Sequence, residues 1–220
     1  MSGGWREYHS RWEGRHWLDR AMEHWEFNTK FYWKLCRHLR PGDSLLDIGS
    51  GKGYSALYFA AHGYPVTGID PDVPSVEEAN EWATRLGLPA RFHVCNVFDF
   101  QSGERHRISY SMGLIEHLAP EEATRILAVQ REASELIVAM APTRHSERTV
   151  EPCAVPWIPQ SAATLRHTFT SSGLEIIESF GCGDVYSKWD SRLKNILPRA
   201  AMHFLQSRLG YAMNVVIVGR

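Results

Sequence analysis

Ser44-Leu45-Leu46-Asp47-Ile48-Gly49-Ser50-Gly51-Lys52-Gly53-Tyr54 is the stretch whose reading decides the fold. Leu45 to Ile48 is a short apolar run closed by glycines, the pattern of a buried strand, and Ser55 to Ala61 carries apolar residues at helical spacing. Gly49, Gly51 and Gly53 lack the Cβ atoms that would oppose a tight turn and the close approach of a ligand to the backbone. A helix that starts directly after such a turn aims its unpaired N–H groups and positive dipole end at the same crevice. Val66-Thr67-Gly68-Ile69-Asp70 reads as a second strand with a carboxylate at its tip, placed to accept hydrogen bonds from ribose hydroxyls. Strand, glycine loop, helix, strand and terminal acid predict one nucleoside-binding half of an α/β sheet. The alternative, a glycine turn without a ligand, leaves the matching acid unexplained.

Two cofactor classes compete for this unit. Gly51 to Ala56 formally satisfies G-x-G-x-x-A, so a nicotinamide dinucleotide is one candidate. Asp47, two residues before the first glycine, favours the other: a carboxylate there gains nothing from a pyrophosphate but matches an ammonium group. Asp47-x-Gly49-x-Gly51-x-Gly53 followed by Asp70 resembles the first two motifs of class I S-adenosylmethionine-dependent methyltransferases of the small-molecule type. The resemblance extends over residues 41–182 and implies a Rossmann-like, doubly wound, seven-stranded sheet. That sheet would be mostly parallel with an antiparallel last strand, behind an N-terminal helical cap. It implies that Asp47, Gly49, Ser50, Gly51 and Gly53 hold the methionine end of S-adenosyl-L-methionine and of its product S-adenosyl-L-homocysteine. Asp70 would hold the ribose, Asn96 and Val97 the adenine, with Asp99 as an alternative, and Met112 would stand beside the cofactor. The family more often has Asp where this chain has Asn96, whose amide carbonyl still accepts from an amine.

The remaining elements follow in order. Ser75 reads as the N-cap of a helix through Leu86, with Glu77 and Glu78 in its first turn and Gly87 as its stop. Arg91–Val97, Arg107–Met112, Glu135–Met140, Leu174–Phe180 and Ala212–Val218 read as strands. A helix from Pro120 buries Ile126, Leu127 and Val129, and another runs from an N-cap at Ser161 to Ser172. Gly113-Leu114-Ile115-Glu116-His117-Leu118 looks like the family's motif after the fourth strand. The long segment from Thr143 to Gln160 reads as a functional loop.

Residues 1–40 hold five of the eight tryptophans at broken helical spacing, which fits either rings covering the sheet or a lid over the crevice. Residues 41–185 form the expected cofactor core. Residues 186–220 add a basic helical insertion and the last strand, all within one domain. The insertion carries Lys188, Arg192, Lys194, Arg199 and Arg208, which fits a packing or dimer-forming helix or, alternatively, an RNA or protein acceptor.

At 220 residues, net charge −1 and 44% hydrophobic content the chain suits one globular domain without a global pull toward nucleic acid or anionic lipid. The four cysteines form no C-x-x-C pair, no apolar run reaches spanning length, and no signal-peptide pattern opens the chain, so a cytoplasmic protein is expected. The histidines lack ligand-like spacing, so no metal is expected. The expected partner is a small-molecule acceptor, with no nucleic acid and no membrane, for a monomer or homodimer.

Methyl transfer from a sulfonium is an in-line displacement, and positioning can supply about 7–11 kcal/mol of the barrier. It requires neither a nucleophilic triad nor a metal. A base matters only where the acceptor loses a proton. His117 is the first candidate for that base, with His9, His16 and His145 as alternatives. Tyr8, Trp12, Trp17, His145 and Trp157 are the candidate acceptor contacts. An NAD-dependent oxidoreductase remains the third function class.

Overall fold

The computed structural model describes residues 16–146, 155–183, 196–208 and 210–220. Tyr8, His9, Trp12, Cys153, Lys188, Arg192 and Lys194 lie outside the described residues. The strands are β1 (Leu45–Ile48), β2 (Val66–Asp70), β3 (Ala90–Val94), β4 (His106–Met112), β5 (Ser134–Pro142), β6 (Ile176–Cys182) and β7 (Asn214–Gly219). They form one sheet in the order β3-β2-β1-β4-β5-β7-β6. All pairs are parallel except those of β7, which runs antiparallel between β5 and β6. The expected mixed seven-stranded, Rossmann-like sheet is thus the observed one.

The helices among the described residues are α1 (Trp17–Phe27), α2 (Thr29–Cys36), α3 (Tyr54–Ala61), α4 (Val73–Leu86), α5 (Pro120–Ala133), α6 (Ala162–Ser171) and α7 (Arg199–Arg208). On one face of the sheet, Trp17, Phe31, Tyr32, Leu35, Leu57 and Val76 from α1–α4 pack against Leu45, Val66, Phe92, Ile108 and Tyr110. On the other, Leu127, Leu165 and Phe169 from α5 and α6 cover Ile137, Ala139, Val215 and Ile217. Strands sandwiched in this way are apolar on both faces, which is why β1 is buried along its whole length. Phe31, Tyr32 and Leu35 of α2 are fully buried. At about 1.5–3 kcal/mol for each large side chain, their burial rivals the net stability of a domain. The N-terminal helices are therefore part of the core.

Several boundaries differ from the sequence reading, each for a local reason. Helix α4 begins two residues before Ser75, because Asp72 is the N-cap and accepts from the Ser75 N–H at 3.2 Å. Pro74 fits the first turn, where no N–H is needed. Glu77 and Glu78 then lie beyond that turn. On α5 the buried stripe runs Ala123, Ile126, Leu127, Gln130, so the expected Val129 gives its place to a buried glutamine. The Gln130 amide is accommodated by donating to the Val138 carbonyl at 3.4 Å. On α1, Ala21 faces inward and Met22 is 64% exposed. Ile196 and Phe204 of the C-terminal insertion are exposed rather than packed. Gly181 of β6 lets the backbone of α7 approach closely at Gln206.

Candidate active site

The site is built at the carboxyl ends of β1, β2 and β4. Gly49, Gly51 and Gly53 take φ of 74°, 49° and 77°, the left-handed region in which a Cβ is strained. A Cβ on Gly53 would also lie 2.7 Å from Cζ of Phe92. The loop is fastened from three sides. The Gly49 and Ser50 N–H groups donate to the Ile69 carbonyl at 2.9 and 3.1 Å. The Gly51 N–H donates to Asp70 Oδ2 at 2.9 Å. Lys52 Nζ pairs with Glu78 Oε2 on α4 at 2.7 Å. Asp70 Oδ1 accepts from the Asp72 N–H at 2.8 Å, which fixes the carboxylate at the strand tip. A carboxylate has about four lone-pair sites, so these backbone bonds leave capacity for hydroxyl donors.

Asp47 stands opposite Gly68 and Tyr110 in the parallel registers, and Asp70 lies two residues past Gly68 on the same sheet face. The two acids therefore flank one glycine loop. The Tyr110 hydroxyl donates to Asp47 Oδ2 at 2.9 Å. Among the described residues Asp47 makes no ion pair. Burial pushes its pKa up to about 7, the Tyr110 hydrogen bond opposes the rise, and the charge of Asp70 adds to it. A buried carboxyl held near neutrality, without a cation, is suited to receive one from a ligand.

Helix α1 reaches this loop from above. Trp17 Nε1 donates to the Lys52 carbonyl at 3.2 Å and Trp25 Nε1 to the Tyr54 carbonyl at 2.6 Å. His24 Nε2 lies 2.9 Å from Ser55 Oγ, and Tyr32 of α2 places its hydroxyl 3.1 Å from the same atom. Ser55 Oγ donates to Sδ of Met112 at 3.0 Å, at the tip of β4. Trp17 is 4% exposed and stacks on Trp82 with centroids 4.8 Å apart. Trp17, expected as an acceptor contact, is placed as a brace of the glycine loop with its ring packed against Trp82 and Tyr54. His24, Trp25, Tyr32 and Tyr110 were missed by the sequence reading. Helical spacing marks apolar faces, whereas these polar tips become meaningful only once the helices are docked.

On the adenine side, β3 ends at Val94 and Asn96 caps a single 3-10 turn over Val97–Asp99. Asn96 Oδ1 accepts from the Phe98 N–H at 3.0 Å. The expected placement of Asn96 and Val97 at a strand end is therefore corrected to a capped turn just beyond it. Asparagine competes for nearby backbone N–H groups and here it interrupts the strand. Asp99 is exposed in the same turn.

Beyond β4, Ile115–His117 forms a second 3-10 turn. His117 Nδ1 lies 2.8 Å from the Pro156 carbonyl, and the Ile158 N–H donates to the Glu116 carbonyl at 2.9 Å. These bonds fasten the segment that carries half-buried Trp157 to the turn that carries His117. Burial lowers the His117 pKa, and its bond to Pro156 opposes the drop. Burial raises Glu116 to about 8, with its own backbone N–H opposing, and Oε1 stands 3.7 Å from His117 Nε2. His145 lies in the turn after β5, edge-on to Tyr211 at 5.2 Å. His16 caps α1, its Nδ1 accepting from the Leu18 N–H at 3.3 Å.

The segment of residues 45–135 matches the family model described as a methyltransferase domain. It is similar to the ribosomal protein L11 methyltransferase of Thermus thermophilus, 41% identical over 58 residues, 26% of this chain and 23% of that protein. It is also similar to the ubiquinone biosynthesis O-methyltransferase of Paramagnetospirillum magneticum, 34% identical over 82 residues, 36% of this chain and 33% of that one. The matched segments thus span a third or less of these relatives' lengths. Among solved structures, the magnesium protoporphyrin IX methyltransferase of Synechocystis PCC 6803 with bound SAM has a TM-score of 0.65 at 13% identity. The alignment covers 99% of this chain and 91% of that one, a likeness of fold.

Proposed function

We propose that the protein is an S-adenosylmethionine-dependent methyltransferase that moves a methyl group to an oxygen or nitrogen atom of a small-molecule acceptor. The observation that carries this reading is the pair Asp47 and Asp70, on one sheet face and either side of a loop with three left-handed glycines. Asp47 would hold the ammonium of the cofactor, Asp70 the ribose, and the bare backbone of Gly49–Gly53 the methionine carboxylate. The capped turn Asn96–Asp99 would border the adenine. The cofactor supplies an activated methyl group on sulfur; the chain's task is to align the acceptor with it and exclude water.

His117 would take a proton from an acceptor hydroxyl or ammonium. The Pro156 carbonyl holds the Nδ1–H tautomer, and the lowered pKa keeps the ring neutral at pH 7. Trp157 and His145 border the same rim and are proposed acceptor contacts. In this proposal residues 1–40, 41–185 and 186–220 serve as cap, cofactor core and insertion of one unit. Among the described residues no helix is long and apolar enough to cross a membrane.

Isothermal titration with S-adenosylmethionine and S-adenosylhomocysteine tests the cofactor: saturable binding of both supports it, and no heat with either overturns it. For His117, H117A should cut turnover of the true acceptor by about 10²–10⁴-fold with unchanged cofactor affinity. Unaltered turnover removes it as base. The likeness to an L11 methyltransferase favours a second reading, a macromolecular acceptor. Salt-dependent binding to bulk RNA or methylation of a ribosomal protein fraction would support that reading over a small molecule.

A further inference from the structure

Ser55 Oγ is the meeting point of the N-terminal helices and the cofactor loop. Three side chains converge on it: His24 from α1 at 2.9 Å, Tyr32 from α2 at 3.1 Å and Met112 from the tip of β4 at 3.0 Å. A hydroxyl has one proton and two lone pairs. A thioether sulfur only accepts, so the Ser55 proton goes to Met112 Sδ. The two lone pairs are then left for the Tyr32 O–H and an N–H of His24. That order requires the Nε2–H tautomer of His24. Burial lowers the His24 pKa to about 4, with the Arg20 charge acting in the same direction, so the ring is neutral through the physiological range. The proton and both lone pairs of the Ser55 hydroxyl then have a defined role.

The junction lies within the first turn of α3, two residues past Gly53. Trp17 and Trp25 donate from the same helix α1 to the carbonyls of Lys52 and Tyr54. Three bonds from one helix thus grip a four-residue stretch of loop and helix start. Asp47 is close by: its charge adds to the burial that raises the Tyr32 pKa, and Tyr32 adds to the rise at Tyr110, the hydrogen-bond partner of Asp47. A shift of α1 would be felt at the loop backbone and at Met112 together.

Resting on the proposed cofactor, we propose that His24 is a positioning residue of the cofactor site: it orients Ser55, and through Ser55 the Met112 side chain, so that cofactor affinity depends on docking of the N-terminal helix. The cap then has a second task beside any contact with the acceptor. It holds the glycine loop and β4 tip in their binding geometry before the cofactor arrives, which lowers the ordering cost of binding.

The test measures S-adenosylhomocysteine binding by titration calorimetry to wild type, H24A, S55A and the double variant H24A/S55A, with no acceptor present. Expected are about tenfold losses for H24A and for S55A, and no larger loss for the double variant, because both remove one linkage. H24Q, whose amide restores a donor near the same place, should recover most of the affinity. In parallel, methionine methyl groups labelled with ¹³C report on Met112, identified through M112L. Without any ligand the Met112 signal should move in H24A and return toward its wild-type position in H24Q. If H24A binds S-adenosylhomocysteine within twofold of wild type, or the Met112 signal ignores the His24 substitutions, the inference is overturned. Additive losses in the double variant overturn it as well. If wild type itself fails to bind, the cofactor assignment falls, and the ligand-free Met112 signal still decides whether His24 governs Met112. Should H24A melt far below wild type, H24Q and S55A carry the comparison.

Discussion

Asp47 and Glu178 occupy one lateral row of the sheet, linked residue by residue through Tyr110, Val138 and Val218, yet their surroundings are opposite. Glu178 on edge strand β6 receives Lys34 from α2 on Oε1 and has His38 Nε2 at 3.6 Å from Oε2. Burial alone would raise the Glu178 pKa, but the hydrogen bond and charge of Lys34, helped by His38, hold it below the usual carboxylate range. Asp47, near the centre of the same row, has a phenol as its hydrogen-bond partner and is raised to about 7. One acid has its counter-charge built into the fold, which makes it a structural pair. The other has been buried without one, and that uncompensated position is the reason Asp47 is proposed to receive the ligand's ammonium.

The comparison is most sharply tested by removing each charge. D47N should weaken S-adenosylhomocysteine binding by about 10–100-fold, the loss of a charge-assisted bond to the ligand ammonium, while raising the melting temperature of the ligand-free protein at about pH 7–8, because a buried charge without a counter-ion is removed. Calorimetry and thermal melts read the two effects; undiminished affinity would show that Asp47 does not receive the ammonium.

The next effect is on pH. With Asp47 near 7 in the ligand-free protein and ionised when a cation is bound, affinity should fall about tenfold per pH unit below 7. It should level off above about pH 8. Titrations in buffers of different ionisation enthalpy should show a proton released on binding at pH 6. Stability takes the reverse sign at this residue. A folded pKa above the unfolded one contributes stability below pH 4 that is lost as pH rises through 7. Glu178, with a depressed folded pKa, contributes stability above its unfolded pKa and loses it as the pH falls through the folded one.

The smallest effect belongs to the paired acid. E178Q should cost about 1–2 kcal/mol of stability, because Lys34, whose side chain is 10% exposed, loses its partner in a partly screened setting. Thermal melting checks this, and cofactor affinity should not change. A loss of affinity in E178Q comparable to that of D47N would erase the distinction between the two acids.

The cofactor half was legible because its signals are local. Asp47, the three glycines and Asp70 lie within 24 consecutive residues, and each carries its meaning through backbone conformation or strand position. The boundaries of β2 were read without error for the same reason: a short apolar run between turn residues has few alternatives. Asn96 misled because a single side-chain cap ended β3 three residues early. Trp17 was read only as one of several rings at broken helical spacing, and that spacing could not say that it would reach the loop carbonyl of Lys52, which depends on how α1 docks.

The sequence by itself determined the strand, glycine loop, helix and second strand with its terminal acid, since these follow from φ preferences, apolar runs and spacing over short distances. The resemblance to the family added the seven-stranded, mostly parallel sheet with its antiparallel last strand. Only the tertiary structure decided that α1 and α2 bring His24 and Tyr32 onto Ser55. Only it decided that Lys34 reaches Glu178 while Asp47 is buried against a phenol. Those outcomes depend on contacts between side chains 23, 31 and 144 residues apart. The chain order records no such distance, because helix packing, not local conformation, chooses which polar tips meet.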